Sequence, residues 1–142
     1  MVSVWEIKFI LDKNRLPTLE EIETLTSYLP RLYAEGFSPI ESWSGGKGTL
    51  PYPKYDPLVD EFFRHVAGDG WLDYDYKPEQ ASEMLGDENK VKTASLEQIK
   101  TMLTFCIRGE RFSDGHWGEM IEKGYIRRIL ERLNEIKLEL LK

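Results

Sequence analysis

Ile107-Arg108-Gly109-Glu110-Arg111-Phe112-Ser113-Asp114-Gly115-His116-Trp117-Gly118 is the stretch where two helical patterns meet. Before it, Ser95-Leu96-Glu97-Gln98 makes a capping box, with serine at the N-cap and glutamine at the third helical position. Leu96, Ile99, Met102, Leu103, Cys106 and Ile107 then recur at helical spacing and predict one apolar stripe. After it, Ser113 or Asp114 is the expected cap of a shorter helix that carries Trp117, Met120 and Ile121 and closes at Gly124. A last helix begins near Tyr125. Its Ile126, Ile129, Leu133, Ile136 and Leu140 step by three and four, the spacing of an a/d seam. A helix, a charged junction and two further helices therefore fix the fold class as mainly α.

The upstream chain agrees. Thr18 and Glu21 form another capping box, and Leu19, Ile22, Leu25, Leu29, Leu32 and Tyr33 follow at helical intervals. Pro30 interrupts that pattern and Gly36 ends it. Residues 38–54 read as a loop, rich in serine, glycine and proline, with Trp43 either anchoring it or lining a site. Asp56-Pro57 opens a helix with Leu58, Val59, Phe62, Phe63 and Val66 on one side. Trp71–Tyr76 alternates and reads as a short extended segment, Pro78 to about Leu85 as a short helix, and Gly86–Ala94 as a polar connection. Residues 2–11 fit either a strand or a short helix. The expected architecture over residues 1–142 is one globular domain of five to six helices with one or two short strands. Its core would include Leu25, Leu29, Phe62, Phe63, Val66, Ile99, Leu103, Trp117, Ile121, Ile129 and Leu133.

Composition narrows the function classes. A chain of 142 residues with 41% hydrophobic side chains can bury one core, and 31% charged residues keep its surface wet. A net charge of -6 argues against sequence-independent nucleic-acid binding, which needs a basic face. Arg127, Arg128 and Arg132 are interleaved with Glu131, Glu135 and Glu139, the pattern of a solvated helix face laced with ion pairs. No apolar run has the length of a membrane span and no signal-peptide pattern is seen, so the expected location is cytoplasmic and no membrane partner is expected. The single cysteine, Cys106, falls on an apolar stripe and reads as buried filler. His65 and His116 lie far apart, so no zinc spacing exists, and no metal or cofactor is expected. Asp73 and Asp75 read as solvated acids rather than as cation ligands. Gly45-Gly46-Lys47-Gly48-Thr49 fails the phosphate-loop pattern at Ser42 and Gly48.

The junction carries the candidate chemistry. Periodicity carried past Cys106 places Glu110 on the apolar face, where a carboxylate needs a partner. Arg108 and Arg111 are three apart and can share a face, suited to gripping a carboxylate or phosphate by forked hydrogen bonds. His116 falls in the first turn of a helix, where the dipole favours the neutral imidazole. One reading is an anion-binding corner with Arg108 and Arg111 as clamps, Asp114, Trp43 and Trp117 around them, and Glu110 or His116 as base if the protein is an enzyme. The other is structural: Glu110 pairs with an arginine, Asp114 caps, and Trp117 is core.

Arg108-Gly109-Glu110-Arg111-Phe112, followed by Gly115, Trp117, Gly124 and Leu130-Glu131-Arg132-Leu133, resembles the C-terminal signature of an uncharacterised bacterial domain family. Trp43-Ser44-Gly45-Gly46, Pro51, Tyr55 and the aromatic-acidic stretch near Asp73 resemble it too. The resemblance implies a small, mostly helical, cytosolic bacterial protein and names no substrate. Many members of that family carry cysteine where this chain has Ser113, so a thiol role there does not transfer. Three functions are thus in play. The first is a binding or regulatory module for an anionic small molecule. The second is an enzyme acting on a phosphate- or carboxylate-bearing compound. The third is a homodimeric interaction protein pairing through residues 125–141.

Overall fold

Thr18 accepts from the Glu21 N–H and the Glu21 carboxylate accepts from the Thr18 N–H, so both halves of the first capping box form and start α1 (Leu19–Thr26). A computed structural model describes residues 15–46 and 48–142. The segment 2–11 and Lys47 lie outside the described residues. Arg15 donates to both Glu21 oxygens, at 2.6 and 3.0 Å, and these bonds hold the Glu21 carboxyl down at about 2. The helical pattern then breaks ahead of Pro30. A separate short helix, α2 (Leu29–Leu32), takes the proline in its first turn, where its missing N–H costs least.

Residues 38–54 correct the loop expectation. Most of them form an antiparallel hairpin of β1 (Ile40–Gly46) and β2 (Thr49–Tyr55). Ile40 pairs with Tyr55, Trp43 with Pro53 and Ser44 with Tyr52, with irregularities between Ile40 and Ser42 and between Ser44 and Gly46. The prolines of β2 are tolerated because each strand has an unpaired edge, where no N–H is needed.

Asp56 caps α3 (Pro57–Val66) by accepting from the Leu58 N–H at 2.9 Å. The Trp71–Tyr76 segment is turn rather than strand. It is pinned to the next long helix through Asp73, whose carboxylate accepts from Thr101 Oγ1 at 2.6 Å and whose N–H donates to Thr104 Oγ1 at 2.8 Å. Asp73 is therefore a bridging acid. α4 (Pro78–Leu85) follows, and the polar connection after it contains α5 (Glu88–Lys92), capped by Asp87. α6 (Leu96–Arg108) starts at the Ser95–Gln98 capping box and runs into a 3-10 turn at Gly109–Arg111. α7 (His116–Glu122) and α8 (Tyr125–Leu140) complete a mainly α fold with one two-stranded sheet.

The core gathers buried side chains from α1, α3, α6, α7 and α8, with Met84 and Leu85 of α4 and Val91 of α5 joining it. Leu25, Phe62, Val66, Ile99, Leu103, Trp117, Ile121, Ile129 and Leu133 are buried as expected, while Leu29 and Phe63 are half-buried at its edge. Ile126, Ile129, Leu130 and Leu133 of α8 are fully buried, each contributing roughly 1.5–3 kcal/mol on removal from water. The a/d seam expected to pair with a second chain thus faces the protein's own core, packed toward α1 and α5. Only its far end, at Leu140, is exposed. Outside the core, Arg127–Glu131 and Arg132–Glu135 form the ion pairs read from the sequence. Lys100 is an unforeseen buried charge: its Nζ donates to the Arg15 carbonyl at 2.6 Å, and burial pushes its ammonium below the usual lysine range.

Candidate functional site

The Arg108–Gly118 junction divides its side chains between an inner and an outer side. On the inner side, α7 begins without a local cap. Its N-cap is Gly115 at φ +91°, a left-handed conformation that glycine adopts without cost, and no side chain of Ser113 or Asp114 caps it. The cap comes from remote residues. Glu110 Oε1 accepts from the Trp117 N–H at 3.0 Å, and Glu110 Oε2 accepts from the Tyr55 hydroxyl at 2.7 Å. The same Tyr55 oxygen accepts from the Gly118 N–H at 3.2 Å. A carboxylate and a phenol thereby satisfy two N–H groups that a helix start leaves open, and the negative charge sits at the favourable end of the dipole. Burial, and then the bond to Glu110, push the Tyr55 phenol above its ordinary range.

The hairpin is seated by the same glycines. A Cβ at Gly118 would lie 2.9 Å from Tyr55 Cε1 and 3.0 Å from Ile40 Cδ1, and one at Gly115 would lie 2.7 Å from Trp43 Cη2. The hairpin's inner face therefore rests directly on the backbone of the α7 start. A Cβ at Gly109 would overlap the His116 ring. His116 also meets Phe105 edge-on at 5.9 Å, and its Nε2 is buried with no hydrogen-bond partner among the described residues. Trp117 is fully buried, stacked on Phe62 at 5.5 Å and edge-on to Phe63.

The outer side is different. Arg108, Glu110 and Arg111 border a cleft of about 480 Å³ walled by Phe63, Ala67, Leu72, Tyr74 and Ile107. The Arg108 guanidinium lies 5.0 Å from the centre of the Tyr76 ring. Among the described residues, neither Arg108 nor Arg111 makes an ion pair, although six other lysines and arginines besides Arg15 do.

The candidate residues are thus split. Arg108, Glu110 and Arg111 share the cleft. Trp43 and Asp114 border a second groove on the hairpin side, with Glu41, Glu119 and Glu122. Trp43 is 53% exposed there, and the carboxylates around it make that groove acidic. His116 and Trp117 border neither. Glu110 is bound to helix amide and phenol rather than to an arginine, so neither the ion-pair reading nor the free-base reading describes it. Sequence reading missed Tyr55 as a partner of the junction. The clue was a tyrosine just before the Asp56 cap, but its contact is 55 positions away in the chain. Phe63 was expected in the core and Leu72 and Tyr74 in a short extended segment, and all three wall the cleft. Among the described residues no three histidine, cysteine, aspartate or glutamate side chains gather closely enough to hold a metal ion. No described helix is long and apolar enough to cross a membrane.

Fold and site together define a mainly α domain whose hairpin and charged helix junction are built as one unit. The chain belongs to the family of unknown function DUF6508, whose model matches residues 17–139. No curated protein and no solved structure matches it.

Proposed function

We propose that the protein is a binding or regulatory module whose cleft at Arg108 and Arg111 accepts an anionic small molecule. One observation carries the reading: two guanidinium groups that make no ion pair among the described residues, in a chain of net charge -6, border the same cleft. Unpaired arginines over an apolar floor supply forked donors to a carboxylate or phosphate while the floor takes the rest of the ligand. The bonds of Glu110 and the packing of His116 favour a binder over acid–base catalysis by those residues.

Thermal shift with phosphate, citrate and carboxylate probes tests the reading, since a ligand that binds only the folded state raises its melting temperature. The wild type gains stability with at least one anion, and Arg108→Ala and Arg111→Ala lose that gain. Equal, small responses in all three proteins overturn it.

A further inference from the structure

We infer that the cleft takes a monocarboxylate with an apolar body, an aryl or short alkyl acid, rather than a sugar phosphate or nucleotide. The inference rests on the anion-binding reading above. Its first support is charge. The cleft is bordered by two guanidinium groups and one glutamate, and Glu110 accepts hydrogen bonds at both oxygens, as a carboxylate does. Two positive groups and one negative leave a single positive charge to be matched. A monoanion completes that balance. A phosphate dianion or a polyphosphate brings further charge toward Glu110 with no cation in the lining to meet it.

The second support is the wall. Phe63, Ala67, Leu72 and Ile107 present apolar carbon to the cleft. A phenyl ring or alkyl chain gains by leaving water against such a surface. Ribose or sugar hydroxyls set against those four side chains would be desolvated without partners, and the Tyr74 hydroxyl on the same wall already donates to Asp69. Phe63 is held edge-on by Trp117, so this part of the wall is pre-formed. The third support is geometry. Arg108 is steadied by the Tyr76 ring at 5.0 Å, which leaves its N–H fork for a ligand, and Arg111 follows on the 3-10 turn at the same cleft. A planar carboxylate matches a planar guanidinium through two parallel hydrogen bonds.

Isothermal titration with phenylacetate, hexanoate, acetate, inorganic phosphate, AMP and phenylacetamide tests the class. Phenylacetate and hexanoate are expected to bind at least tenfold more tightly than acetate, phosphate, AMP or the neutral amide. Arg111→Gln and Arg108→Gln are each expected to weaken phenylacetate at least tenfold, and A67E, which sets a carboxylate on the apolar wall, to remove binding. Circular dichroism melts identify any variant that fails to fold, and the wild-type ranking of the six probes then decides alone. Phosphate or AMP binding as tightly as phenylacetate, and lost with either arginine, overturns the acid class while leaving an anion site. No binding by any charged probe, or binding indifferent to both arginines, overturns the anion site and this inference with it.

Discussion

Glu110 and Arg111 are neighbours in the chain and border the same cleft, yet their polar groups are used differently. Glu110 is committed: both its oxygens are bonded, one to the Trp117 amide and one to the Tyr55 hydroxyl. Arg111 and Arg108 are uncommitted, with no ion pair among the described residues. The 3-10 turn at Gly109–Arg111 ends the regular turn of α6, and Glu110 on it reaches the start of α7. Dense clusters of reactive residue types therefore need not act as one site. Here the acid builds the frame and the bases are left for a ligand.

The inner side is expected to respond in stability and the outer side in binding. The largest effect belongs to Trp117→Ala, which removes a fully buried indole stacked on Phe62 and should cost about 3–5 kcal/mol in chemical denaturation. Glu110→Ala strands the Trp117 amide and the Tyr55 hydroxyl and should cost about 1–3 kcal/mol. A loss under about 0.5 kcal/mol, the ordinary surface range, would show that Glu110 is not the cap described.

Tyr55→Phe removes the donor to Glu110 and the acceptor of the Gly118 N–H and should cost about 1–3 kcal/mol near neutral pH. Its pH dependence is sharper. The folded-state phenol is raised above its ordinary value of 10.0, so the folded protein holds that proton where the unfolded chain releases it. Its contribution is fully present below about pH 10 and is lost as pH rises further. The stability gap between wild type and Tyr55→Phe should narrow in urea melts taken above pH 10, and a constant gap would contradict the shift. Arg108→Ala and Arg111→Ala should change stability least, within about 0.5 kcal/mol, while abolishing the anion-induced rise in melting temperature. If either arginine change destabilises the protein as much as Glu110→Ala, the division between the two sides fails.

Local signals in the chain were readable. The boxes Thr18–Glu21 and Ser95–Gln98, the Asp56-Pro57 start and the α4 limits all form as their sequences indicate, because each is decided within four or five residues. The expectation that Glu110 needs a partner was met, although α6 ends at Arg108 and Glu110 sits half-buried on the 3-10 turn. That expectation named no partner, because Tyr55 comes from the far end of a hairpin that itself was not legible. Residues 40–55 contain Gly45, Gly46, Pro51 and Pro53, poor strand formers, and their strands owe their place to packing on α7 rather than to propensity. The cap expected at Ser113 or Asp114 was wrong for the same reason: a local candidate lost to remote acceptors. At α5, Asp87 was a cap signal hidden in a stretch read as merely polar.

The bare backbone under the hairpin has an evolutionary consequence. Gly115 and Gly118 leave no room for a methyl group beneath Trp43, Ile40 and Tyr55. Volume at these positions is then a shared quantity. A relative that gains a side chain at 115 or 118 must give up bulk at 43, 40 or 55, or lift the hairpin and break the Tyr55–Gly118 bond. Aligned family members should show these positions trading size in pairs, a correlation that links two segments more than sixty residues apart in the chain.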